Sequence, residues 1–166
     1  MNNPEEIRPR HILKFTSFDI TLECVGLFLI LAIWIIPVLL YKNLPDTIPT
    51  HFGINGEADD WGSKTTIFIL PVLCLLLYIG LSILNKFPHI FNYPVKVTEE
   101  NAMRLYFKAT LILRFAKLAI ILLFLVIEWQ ICSVNEKAGL PIWFMPVTLA
   151  IPVLLPIILA FVLTKK

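Results

Sequence analysis

Residues 20–41 read ITLECVGLFLILAIWIIPVLLY, with Glu23 as the one charged residue in the run. The hydrocarbon core of a bilayer is about 30 Å thick and takes about 20 helical residues to cross. Peptide groups in lipid find no water, so a crossing segment must be an α-helix or part of a closed barrel. A barrel strand would alternate apolar and polar side chains, and this run is continuously apolar. It is also too long for the apolar stretch of a cleaved leader, and Pro37 and Tyr41 stand where a small-residue cleavage site would be sought. The reading is a retained transmembrane helix.

Three more stretches follow the same rule. Residues 66–84 carry no charge; residues 110–132 carry Arg114 and Lys117 near the start and Glu128 near the end. Residues 142–163 are uncharged but contain Pro146, Pro152 and Pro156, each removing a backbone donor and favouring a kink. The 166 residues are 58% hydrophobic, and soluble chains hold roughly 45–50%. These features predict an all-α integral membrane protein: one membrane domain over 1–166, a bundle of four transmembrane helices in contact with the lipid bilayer. The net charge of +2 gives no ground for a nucleic-acid partner. Cys24, Cys74 and Cys132 lie in or at the ends of apolar runs without a CxxC spacing, which suits packing rather than zinc or redox chemistry.

Lys and Arg accumulate on the cytoplasmic side of membrane helices. Eleven of the 14 flank one face (Arg8, Arg10 and Lys14; Lys86 through Lys117; Lys165 and Lys166), and only Lys42, Lys64 and Lys137 flank the other. Both termini are therefore expected inside. The outer connection 42–65, KNLPDTIPTHFGINGEADDWGSKT, holds an Asn55-Gly56 turn signal and reads as a structured extracellular loop. The inner connection 85–97, NKFPHIFNYPVKV, precedes a cytoplasmic amphipathic extension of the third helix. Thr98 suits an N-cap, Glu99 and Glu100 suit the first turn, and Ala102, Leu105, Tyr106 and Ala109 follow at helical spacing. A helix from Thr98 to Cys132 would be about 52 Å long, more than the membrane needs.

Charges inside a membrane are costly unless paired or near the surface. Glu23, Arg114 and Lys117 fall at similar depth, so a Glu23–Arg114 or Glu23–Lys117 pair is expected. Positions 114, 117 and 128 fall within roughly 60° on a helix, a stripe that should face the bundle. The stripe fits either a polar path or snorkelling ends plus one structural ion pair. Glu128 should lie near the outer end, level with His51, Lys42 and Lys64. Lys64, outside against the basic trend, suggests a partner such as Asp60 or Glu128. His51 among Asp46, Glu57, Asp59 and Asp60 lacks a second histidine or any metal-loop spacing, so no metal is assigned. No Ser/His/Asp arrangement, P-loop or GxGxxG appears, so neither a catalytic group nor a cofactor is assigned.

The loop residues Leu44, Pro45, Asp46, Pro49, His51, Phe52, Gly56, Asp60, Trp61 and Lys64 resemble the signature of a bacterial membrane family whose domain forms the N-terminal half of SdpI-type immunity proteins. Residues 91–106, FNYPVKVTEENAMRLY, resemble an inner-loop segment of many members. The resemblance covers the first three helices. It implies a multi-pass protein of the bacterial plasma membrane that protects a producer cell from its own secreted peptide toxin, or signals. Immunity members carry a second helical half that these residues do not include, so their capture of a repressor is not carried over.

The leading expectation is a non-enzymatic binding protein. Its outer loop (Asp46, Pro49, His51, Phe52, Gly56, Asp60, Trp61, Lys64) would recognise a secreted peptide or envelope ligand, and its inner segment would engage a cytoplasmic protein. The alternatives are a small transporter or permeation subunit, which would need to form a homo-oligomer, and a membrane metal-dependent hydrolase built on His51 and the acids.

Overall fold

A computed structural model describes residues 8–133 and, beyond them, 140–141, 143–144, 146–148, 150, 154, 157–158 and 161. Three helices among the described residues are long and apolar enough to cross a membrane: Ser17–Asn43, Lys64–Leu84 and Glu99–Ser133. The fourth expected span, 142–163, lies largely outside the described residues.

Helix α1 runs Ser17–Leu40 and ends in a 3-10 turn, Tyr41–Asn43. It starts a turn earlier than the apolar run because Thr16 and Asp19 form a capping box, each side chain bonded to the other's backbone N–H. Helix α2, Ile69–Leu84, is entered through a 3-10 segment, Lys64–Phe68. Helix α3, Glu99–Ser133, is one unbroken rod that unites the amphipathic extension with the membrane span. Asn101, in its first turn, accepts from the Thr98 N–H at 2.8 Å.

Helix α3 is central and packs on both α1 and α2. Outward-facing side chains are large and apolar: Phe28 is 69% exposed, Leu39 70% and Leu76 60%. Inward-facing ones include Asp19, Thr110, Arg114, Lys117 and Glu128, all buried. A water-soluble protein of this size does not turn its greasy face outward and its charges inward; a bundle solvated by lipid does. Gly26 lets α1 approach α2, since a Cβ there would stand 2.9 Å from the Tyr78 ring, the use small residues have between membrane helices.

The core is layered along the bundle. At one end Tyr93, Ala102, Leu105, Tyr106 and Ala109 pack with Leu13 and Phe91. In the middle lie Ile30, Ile33, Cys74, Tyr78 and Ile121. At the other end Leu44, Ile48, Ile67 and Ile131 pack with Phe52 and Phe68. The N-terminal segment is tied to the first layer. Arg8 donates to the carbonyls of His89 and Phe91 at 3.1 and 2.6 Å, and the Tyr106 hydroxyl donates to the Pro9 carbonyl at 2.9 Å. The apolar face of the α3 extension, expected to meet a cytoplasmic protein, is therefore covered by the chain's own residues 9–13 and 88–97. Burial pushes the Tyr93 phenol above the ordinary tyrosine range, which keeps it the donor of its 2.9 Å bond to the Pro88 carbonyl.

Between α1 and α2 the chain makes the one sheet among the described residues, an antiparallel hairpin of β1 (Thr47–Phe52) and β2 (Ala58–Ser63). The structured loop expected from the turn signal is thus a two-stranded ribbon, added to an otherwise helical protein.

Candidate functional site: the capped hairpin and the buried charge cluster

The hairpin is built by a short list of residues. Thr47 pairs with Ser63, Ile48 with Gly62 and Pro49 with Trp61; beyond Pro49 the register slips, and His51 stands opposite Asp60. Proline has no N–H to give a ladder, so β1 is irregular where Pro49 sits. The Lys64 N–H bonds the Asp46 carbonyl at 2.9 Å and closes the base. This closure sets the Lys64 side chain beside Asp46, Nζ to Oδ1 3.0 Å, and over the Tyr41 ring at 5.4 Å. Lys64 therefore pairs with Asp46, not with Asp60 or Glu128, because register rather than loop composition decides who meets whom.

The eight loop residues divide by burial. Pro49 and Gly56 are buried, and Phe52 and Lys64 half-buried; Phe52 packs on the core at the helix ends and Gly56 lies against Leu140. Asp46, His51, Asp60 and Trp61 are exposed, Trp61 at 43%. His51 Nδ1 lies 2.5 Å from Asp59 Oδ1, a contact that orients the ring and is an ion pair when the imidazole is protonated. Asp60 accepts from Thr50 Oγ1 at 3.3 Å and from the Trp61 N–H at 2.9 Å. Among the described residues no three His, Cys, Asp or Glu side chains gather closely enough to hold a metal ion.

The tip is fastened from above. The Leu140 N–H bonds the Gly56 carbonyl at 2.7 Å, and Gly56 has φ +81° with a would-be Cβ 2.9 Å from the Leu140 oxygen. Only glycine fits both the left-handed backbone and the close approach. Gly56→Ala should loosen the tip by about 1–2 kcal/mol, read as faster amide exchange in β1 and β2 with little change in α1–α3. Unchanged exchange would mean that the fastening is not made.

The second cluster lies in the membrane region. Arg114 Nη1 stands 3.0 Å from Asp19 Oδ1, and its Nε 3.4 Å from Glu23 Oε1. Lys117 Nζ donates to Glu23 Oε2 at 2.6 Å and to Ser82 Oγ at 2.9 Å, and lies 4.3 Å from the centre of the Tyr78 ring. The Tyr78 hydroxyl also donates to Glu23 Oε2 at 3.0 Å. Both expected Glu23 pairs are present together. Asp19 completes a balanced set of two acids and two bases, and Ser82 and Tyr78 add hydrogen bonds. Glu128 is apart from all of this: it is fully buried and, among the described residues, neither carboxylate oxygen has a hydrogen-bond partner. It sits one turn inward of Ile131, beneath the hairpin core.

Asp19, Ser82 and Tyr78 were the members sequence reasoning did not single out. The signal for Asp19 was present: Thr16-x-x-Asp19 is a capping pattern directly before an apolar run. Nothing in the sequence marks Ser82 or Tyr78 as polar partners of a residue on another helix.

An apolar-jacketed helical bundle with internal ion pairs is an α-helical integral membrane protein. Residues 28–75, from mid-α1 through the whole hairpin into α2, match the Domain of unknown function DUF1648. An uncharacterised protein of Archaeoglobus fulgidus is 30% identical over 137 residues, covering 72% of this chain and 73% of that protein. The chain belongs to this uncharacterised DUF1648 family. No solved structure matches it.

Proposed function

We propose that the chain is a non-enzymatic binding protein of the plasma membrane, in which the hairpin recognises a peptide or envelope ligand on the outer face in an immunity or signalling role. The observation that carries this reading is the split of the hairpin into buried anchors and presented groups. Ile48 and Phe52 pack it against Leu44, Ile67 and Ile131 at the helix ends, while His51, Asp60 and Trp61 stand exposed on a ribbon whose geometry is already set. Preorganised display of a tryptophan beside charged groups is how small binding surfaces gain affinity without ordering costs. The family match centred on this segment supports the same emphasis.

In the proposed topology both termini are cytoplasmic and a fourth span follows residue 141. The basic residues of 8–14 and 86–117 at one end of the bundle support that orientation. The SdpI-type immunity role, and the bacterial plasma membrane as its site, are the finer assignments that the loop resemblance adds.

The transporter reading draws on Glu128 and the buried charges. Against it stands the middle layer: Ile33 and Cys74 at 0% and Ile121 at 1% exposure separate the two polar regions, and about 16 Å of helix lies between Lys117 and Glu128.

The test is a protection or binding assay against a panel of secreted peptide toxins. Trp61→Ala combined with His51→Ala should weaken protection roughly tenfold while the protein still reaches the membrane. Full protection by the double variant would end the proposal.

A further inference from the structure

At the end of the bundle opposite the hairpin lies a cavity of about 620 Å³ between the N-terminal segment, α1, the end of α2 and α3. Its wall has two chemistries. One part is basic or imidazole-bearing: Arg10, His11, Lys86, His89 and Arg114. The other is apolar: Leu13, Phe15 and Phe87. Glu23 is the one acid on the wall, and it is already held by Lys117 and Arg114. Arg114 and Lys117 are balanced by Asp19 and Glu23, so Arg10 and Lys86 remain as excess positive charge at the cavity. The wall is also incompletely satisfied. Asn85 Oδ1 is buried without a hydrogen-bond partner among the described residues, and His11 Nε2 has only Glu99 Oε2, 3.4 Å away; both side chains line the space. Buried polar groups left in that condition cost free energy that a ligand can return, a phosphate oxygen accepting from His11 Nε2 and a headgroup hydroxyl donating to Asn85 Oδ1.

We propose that this cavity binds the phosphate headgroup of an anionic phospholipid. A phosphate diester supplies acceptor oxygens to Arg10, Lys86 and the imidazoles, and arginine is well shaped for phosphate. The apolar wall receives the glycerol and upper acyl carbons, which is the reason to assign a lipid and not a free anion. Basic pockets between membrane helices have this use in general. The inference does not depend on the hairpin's ligand; it follows from the opposite end of the molecule.

The full chain is reconstituted in equimolar phosphatidylcholine and phosphatidylglycerol, extracted, and its retained lipid measured by native mass spectrometry. Phosphatidylglycerol should be retained about tenfold over phosphatidylcholine. The Arg10→Gln/Lys86→Gln variant should lose that preference. Both residues are exposed and outside the ion-pair cluster, so the fold should survive, which gel filtration of the variant checks. Lys14→Gln removes an equally basic, exposed side chain that does not line the cavity, and it should leave the preference intact. Equal retention of the two lipids, or an equal response to Lys14→Gln, would reduce the basic residues to nonspecific attraction and overturn the site. Displacement of the lipid by inorganic phosphate at comparable concentration would overturn the lipid assignment.

Discussion

Arg114→Met should destabilise the folded protein by about 3–5 kcal/mol, the usual loss when one partner of a buried pair is removed. Arg114 is 6% exposed and Asp19 3%. With the guanidinium gone, Asp19 and Glu23 face Lys117 alone, and Asp19 loses the cation 3.0 Å away. An uncompensated carboxylate in a lipid-surrounded bundle has no water to turn to. The measurement is the midpoint of unfolding in a denaturing detergent titrated against a mild one. Asp19→Asn should rescue most of the loss in the double variant. The amide oxygen can still accept from the Thr16 N–H, so the helix start is kept while the orphaned charge is removed. If Arg114→Met unfolds with the wild-type midpoint, the cluster is not holding α1 to α3.

Glu128→Met is expected to act in the opposite direction, raising stability by about 1–3 kcal/mol. The carboxylate is 0% exposed and neither oxygen is bonded among the described residues. Methionine has similar length and adapts to irregular space, so the substitution removes a desolvated polar group without opening a hole. Glu128→Gln, which keeps polar atoms in the same place, should gain little. The contrast between the two variants is the diagnostic. A destabilised Glu128→Met would show that the carboxyl is bonded in the folded protein. A stabilised variant that also loses protection would mark Glu128 as a group kept for function at a cost in stability.

The helices were legible in the sequence because lipid leaves so little choice: a charge-poor run such as 66–84 has one way to satisfy its amides. The Glu23 pairs were legible for the same reason, since a lone acid at that depth needs a base and Arg114 and Lys117 were those available. The hairpin was not. Its strands, TIPTHF and ADDWGS, are short, one holds a proline, and neither alternates cleanly, so only the Asn55-Gly56 turn announced it. The division of the loop into anchors and presented residues was equally hidden, because Pro49 and Trp61 are register partners that still differ in burial, and that difference is set by long-range packing around the hairpin. Asp19 precedes the apolar run by one residue and belongs to the helix as the partner of its Thr16 cap, a position that hydropathy does not mark. The ordered covering of the α3 extension by residues 9–13 was invisible because it is a long-range contact.

Helix α3 is continuous from Glu99 to Ser133, with the hairpin's floor against Ile131 at one end and the N-terminal segment bonded to Tyr106 at the other. Its ion-pair attachment to α1, at Arg114, lies not far from the midpoint: about 28 Å of rod on the hairpin side and about 23 Å on the other. Such a rod is a balanced lever with its fulcrum at the ion pairs. A sideways push on the hairpin-side arm would reappear on the other arm at about four fifths of its size and in the opposite sense, with no helix having to melt or slide.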